Sequence, residues 1–127
     1  GAKGLLFFTY NGSQFRLYDS PQGIQNIKRM TAELKMLSPV FLSSSVEPDF
    51  IEIKKNSSIR TRIIKVNTKY YLFAVNVSRR YTSLEIQFRK TPRSIVEFFD
   101  SKTILLKQQK MVDSLNSIGV KIYELVF

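Results

Sequence analysis

Ile59-Arg60-Thr61-Arg62-Ile63-Ile64-Lys65-Val66-Asn67-Thr68-Lys69-Tyr70-Tyr71-Leu72-Phe73-Ala74-Val75-Asn76-Val77 decides how this chain folds. Ile59, Thr61 and Ile63 alternate with Arg60 and Arg62, the period-two signature of a strand with one wet face, until Ile63-Ile64 makes both sides apolar. Asn67-Thr68-Lys69 supplies a short hairpin turn. Tyr70 to Val77 is then almost continuously apolar, which predicts a central strand covered on both faces.

The same period extends in both directions. Upstream, Ile51 and Ile53 alternate with Glu52 and Lys54. Downstream, Leu84, Ile86 and Phe88 alternate with Glu85, Gln87 and Arg89, and further strands are expected over Ile95 to Phe99, Thr103 to Lys107, weakly near Met111, and over Val120 to Val126. Short strands spaced by polar turns argue a mainly β chain folded as an antiparallel β-sandwich.

Before residue 45 the pattern differs. Gly4-Leu5-Leu6-Phe7-Phe8-Thr9-Tyr10 reads as one strand, and Ser20-Pro21 is a helix entrance, since Ser caps the first free N–H groups and Pro loses nothing at the first helical position. Ile24, Ile27, Met30, Leu34 and Leu37 recur at three- and four-residue steps and give one apolar stripe, with Gln25, Lys28, Arg29 and Lys35 outward. Ser38-Pro39 is expected to stop the helix. The expected organisation is a strand–helix segment over 1–44 and a β-sandwich domain over 45–127, with Ser43 to Pro48 as the linker.

Composition excludes several chemistries. The 127 residues contain no Cys and no His, so thiolate nucleophiles, disulfides and imidazole bases or ligands are absent, and neither a metal site nor a cofactor is expected. No calcium-loop or phosphate-cradling glycine pattern occurs. No apolar run reaches the ~18 residues that span a bilayer, so no membrane partner is expected. Twenty Lys+Arg against ten Asp+Glu give a net charge of +10, and Arg60, Arg62, Lys65, Arg79, Arg80 and Arg93 interleave with Tyr70 and Tyr81. That composition suits single-stranded nucleic acid, but it is diffuse rather than a stripe, and nucleic acid ranks last among the partners considered.

Taken in order, Gly1 to Tyr10, the helix ending Ala32-Glu33-Leu34-Lys35-Met36-Leu37-Ser38-Pro39-Val40-Phe41-Leu42, Tyr71 to Asn76, Val96 to Phe99 and Val120 to Leu125 resemble the C-terminal end of TIM-barrel glycoside hydrolases. In those enzymes the last barrel strand and helix lead into a small β-sandwich. The resemblance implies that both catalytic carboxylates lie on earlier barrel strands, so that this chain is a non-catalytic accessory domain that supports the barrel, its expected partner. It also implies an extracellular or periplasmic setting. The loop after the eighth barrel strand would face the active site, which makes Tyr10, Asn11, Gln14 and Arg16 candidate carbohydrate contacts.

Tyr18, near that loop, and Tyr81, in a turn after Arg79-Arg80, join them as rings on which a sugar could stack, with polysaccharide the expected ligand of a carbohydrate-binding module, the alternative function. A basic nucleic-acid-binding β-domain is the further alternative. Glu52, Glu85 and Glu97 are read as wet-facing strand residues paired with Arg and Lys rather than as catalytic acids. Asn11-Gly12-Ser13, Asn56-Ser57-Ser58 and Asn76-Val77-Ser78 match a glycosylation sequon and are assigned no function. The first strand is expected either to join the sandwich's own sheet or to pair with a second copy, which keeps a homo-oligomer among the partners.

Overall fold

The structure, a computed structural model, describes residues 20–127. The strand expected over Gly4 to Tyr10 lies outside them. The chain divides into two units between Leu42 and Ser43. On the N-terminal side, α1 (Pro21–Phe41) starts as expected: the Gly23 N–H donates to Ser20 Oγ at 3.1 Å, and the Ile24 N–H to the Ser20 carbonyl at 3.1 Å. The helix does not stop at Pro39 but carries it in the last turn. A proline this late removes one donor, and the turn still closes because the Leu42 N–H reaches the Ser38 carbonyl at 3.1 Å. The predicted stripe holds, with Ile24, Ile27, Met30 and Leu34 partly covered and Leu37 and Val40 buried.

From Ser43 onward the chain forms two antiparallel sheets around one core. The strands are β1 (Ile51–Ile53), β2 (Ile59–Val66), β3 (Lys69–Asn76), β4 (Thr82–Phe88), β5 (Ser94–Glu97), β6 (Lys102–Thr103), β7 (Lys110–Leu115) and β8 (Val120–Val126). Three form a sheet in the order β1-β4-β7, and five a sheet in the order β2-β3-β8-β5-β6. The third strand of the larger sheet is therefore β8, and β3 stands beside it rather than at its centre. The turn Asn67-Thr68 joins β2 to β3, with Asn67 at φ 54°, the left-handed region that Asn tolerates better than most side chains.

Register explains the core. Ile63 lies opposite Leu72, which lies opposite Tyr123, and Ile95 lies opposite Leu125, placing these on the inner face of the five-stranded sheet. Leu84, Ile86, Phe88, Met111 and Leu115 answer from the three-stranded sheet, all at most 1% exposed. Phe50, Tyr70 and Phe127 close one end edge to face, with ring centroids 4.8 to 5.5 Å apart. The other face of the larger sheet is also apolar: Ile64 and Ile122 are buried, and Tyr71, Phe73 and Val96 half-buried. Ser43 to Pro48 is no free linker, since Ser45 bridges Ile64 and the Val46 N–H donates to the Ile63 carbonyl at 2.9 Å.

Candidate functional site

Of the six residues named as sugar contacts, Tyr10, Asn11, Gln14, Arg16 and Tyr18 lie outside the described residues. Tyr81 is described and is 76% exposed. The loop that carries it is built from below by Asn76, the last residue of β3 and fully buried. Asn76 Nδ2 donates to the carbonyls of Arg80 at 2.7 Å and Asn116 at 2.8 Å, while its Oδ1 accepts from the Ser78 N–H and hydroxyl, both at 2.9 Å. One side-chain amide thus ties the 77–81 loop to the 116–119 loop. The Asn76 N–H to Gly119 carbonyl bond at 2.8 Å and the Ile118 N–H to Ser78 carbonyl bond at 2.9 Å reinforce the tie.

These loops present Tyr81, Val77, Ile118 and Val120 to solvent, each more than half exposed, beside Arg79 and Arg80. An exposed tyrosine ring in a turn with cationic donors can stack on an apolar face while donating to hydroxyl or anionic groups. The sequence signal that identified Tyr81 was its place in a turn. Asn76 carries a signal too, a polar residue ending an apolar strand, although the same residues match a sequon; full burial removes it as an acceptor of glycan. Asn56 of the second sequon is exposed, and its Oδ1 accepts from the Ser58 N–H at 2.9 Å.

The carboxylates behave in two ways. Glu52 and Glu85 stand on the outer face of the three-stranded sheet, where Arg89 meets Glu52 at 3.5 Å and Lys110 and Lys54 meet Glu85 at 2.7 and 3.1 Å. Lys110 first, then Lys54, holds the Glu85 carboxyl below the usual carboxylate range. Glu97 corrects the expectation of a wet-facing position. It is 5% exposed and sits opposite Tyr123 on the inner face, because the alternation of Ser94-Ile95-Val96-Glu97 turns Ile95 and Glu97 inward together. Burial, and then the nearby Asp100 carboxyl, push its pKa up.

Next to it lies a polar tie between the sheets. Asp113, on the inner face of β7 between Met111 and Leu115, accepts from Tyr123 Oη at 2.7 Å and Lys121 Nζ at 2.8 Å, both on β8, and its Oδ1 accepts from the Ser114 N–H. Burial disfavours its charge, but Lys121, Tyr123 and the Ser114 N–H outweigh that and hold its pKa below the ordinary value. Burial and the bond to Asp113 raise the Tyr123 hydroxyl. With both Asp113 oxygens engaged and the phenol enclosed, this cluster joins strands and offers no open position to a reacting group. Among the described residues no group of three or more His, Cys, Asp or Glu is placed to hold a metal, and no helix is long and apolar enough to cross a membrane.

No protein-family model and no curated protein matches the chain. Solved structures do. An Anoxybacillus alpha-amylase, described as a new glycosyl hydrolase subclass, aligns with a TM-score of 0.62 and 10% identity over 84% of this chain and 23% of its own. A GH30 endoxylanase from Clostridium papyrosolvens aligns at 0.49 and 12% identity, covering 58% of this chain and 22% of that one. An exo-carrageenase of GH42 from Bacteroides ovatus aligns at 0.44 and 20% identity, over 83% and 14%. The chain spans less than a quarter of the length of each of these enzymes. What the alpha-amylase alignment establishes is the fold: this chain is built like one portion of a much longer glycoside hydrolase.

Proposed function

We propose that the chain is a non-catalytic C-terminal accessory domain of a glycoside hydrolase, whose work is to support the catalytic barrel. One observation carries the reading, the alignment that takes in 84% of this chain but only 23% of an alpha-amylase. The described carboxylates agree with it: Glu52 and Glu85 are neutralised by surface cations, and Glu97 and Asp113 are built into the sandwich. Hydrolysis by a carboxylate pair needs the two groups ~5–10 Å apart across an open cleft.

The direct test is a panel of aryl glycosides offered to the chain, with no turnover expected. Turnover that disappears when any two of Glu52, Glu85 and Glu97 are replaced by Gln refutes the reading. Fused behind a catalytic barrel, as the reading requires, residues 43–127 are expected to raise the thermal midpoint, and deleting them to lower it and leave the surviving activity with unchanged substrate preference. A changed preference points instead to a substrate-binding role.

A second reading, a carbohydrate-contacting surface, is favoured by the exposed Tyr81 ring on its Asn76-anchored loop. Affinity electrophoresis in gels containing soluble polysaccharides tests it. Retardation lost with Tyr81→Ala supports it, and migration identical in all gels refutes it.

A further inference from the structure

The buried members of the core are least covered at one side. Most of its members are at most 2% exposed, whereas Ile51, Ile59 and Ile63 stand at 8 to 9%, and all three border the gap between β1 and β2. These are the outermost strands on that side of their sheets. Two cavities of about 390 and 540 Å³ run along the gap and share Ile53, Lys55 and Thr61 in their walls.

Both strands turn backbone groups toward this opening. In β2 the even-numbered residues bond β3, as the Val77 N–H to Ser58 carbonyl bond shows, so the odd-numbered ones face outward. The Ile59 N–H is closed by the Asn56 carbonyl and the Ile63 carbonyl by the Val46 N–H, which leaves Thr61 between them with its N–H and C=O directed into the opening. In β1, Phe50 and Lys54 bond β4, so Ile53 is directed the same way. The rim is basic. Lys55 and Arg62 line the cavities and enter none of the ion pairs among the described residues, and the one acid in the walls is Glu47.

We propose that this gap binds an extended peptide segment in which apolar residues alternate with acidic ones, added as a strand along β2. A strand edge offers donors and acceptors at the spacing of another strand, the isoleucine floor takes the inward side chains, and Lys55 and Arg62 meet the outward carboxylates. No aromatic ring lines either cavity, so nothing there stacks on a base or a pyranose. That distinguishes the occupant from nucleic acid and from glycan.

The probe is acetyl-Val-Asp-Val-Asp-Val-Asp-amide, titrated into the ¹⁵N-labelled full chain while amide shifts are followed. Saturable shifts are expected at Ile53, Thr61 and Arg62, with affinity better than about 1 mM. Thr61→Pro removes the outward N–H without touching the β2–β3 ladder, and weakens binding roughly tenfold, the effect of one unmade backbone bond. Arg62→Glu with Lys55→Glu is the second variant; it keeps the fold and reverses preference toward the Lys-for-Asp peptide. The proposal is overturned by equal binding of the Asp and Lys peptides to the native chain, by shifts confined elsewhere, by no saturation at that concentration, or by displacement of the peptide with single-stranded oligothymidine.

Discussion

Removing the Asp113 carboxylate should cost the sandwich far more than removing a surface acid, and the structure says how the cost divides. Lys121 is 28% exposed at its side chain and turns to water when Asp113→Ala deletes its partner, a loss of about 0–1 kcal/mol. Tyr123 cannot, because it is 0% exposed, so its hydroxyl is left buried without an acceptor at about 1–3 kcal/mol. Together these predict about 1–4 kcal/mol for Asp113→Ala. Tyr123→Phe gives up one bond to a charged acceptor, about 1.5–3 kcal/mol. In the double variant no hydroxyl is orphaned, so the two losses overlap by about 1–2 kcal/mol.

Urea unfolding of the four proteins at neutral pH measures this. With a slope of about 2 kcal/mol per molar, Asp113→Ala lowers the midpoint by roughly 0.5–2 M. The effect depends on pH in a stated direction. A carboxyl whose pKa is lowered on folding stabilises above its unfolded pKa, ordinarily 3.8, and loses that contribution as pH falls through the folded value, so the native and variant midpoints converge in acid. Additive losses in the double variant, to within about 0.5 kcal/mol, refute the reasoning, as does a Tyr123→Phe protein as stable as the native one.

Glu97 runs the other way: its folded pKa is raised, so the stability tied to its proton is present below the unfolded value of 4.5 and is lost as pH rises through the folded one. Glu97→Gln is therefore expected to flatten the fall of stability as pH rises above 4.5, which thermal melts from acid to pH 8 would show. Asn76→Ala removes the amide that donates to the Arg80 and Asn116 carbonyls and accepts from the Ser78 N–H, and a midpoint loss with faster exchange of the Ser78 and Ile118 amides is expected. At the hairpin, Asn67→Val is expected to cost about 1–2 kcal/mol and Asn67→Gly almost nothing, because a β-branched side chain resists the left-handed region, and equal stability of the two refutes that account. Retention on oligonucleotide is expected to be weak and gone by physiological salt; tight binding there that falls with both Arg80→Ala and Tyr81→Ala would restore the nucleic-acid alternative.

Where sequence and structure part, the reason is the same in two strands. Ile59 to Ile63 was legible because Arg60 and Arg62 mark one face and Ile59 and Ile63 the other, and Tyr70 to Val77 because its apolar run is continuous. In Met111-Val112-Asp113-Ser114-Leu115 the polar residue points inward and Val112 is 58% exposed, which inverts the pattern and makes a six-residue strand look weak. Glu97 is disguised identically, with Val96 on the outer face. Asp113 finds its partners on β8, and no periodicity within one strand reveals a partner 8 or 10 residues away. The candidate site was half legible for a related reason: Tyr81 stood out as an aromatic in a basic turn, but the buried amide that shapes its loop acts through carbonyls that sequence does not display.

The position of β8 has a consequence for how the chain acquires its structure. It lies between β3 and β5, yet it is the last of the eight strands to leave the ribosome. The β2–β3 hairpin needs only neighbours in sequence and can close during synthesis. β3 and β5 are held in one sheet only through Val120–Val126, so until those residues emerge each waits with an open apolar edge. Closure of the larger sheet is thus committed late, and a ribosome stalled before residue 120 holds an intermediate with unpaired β3 and β5 edges.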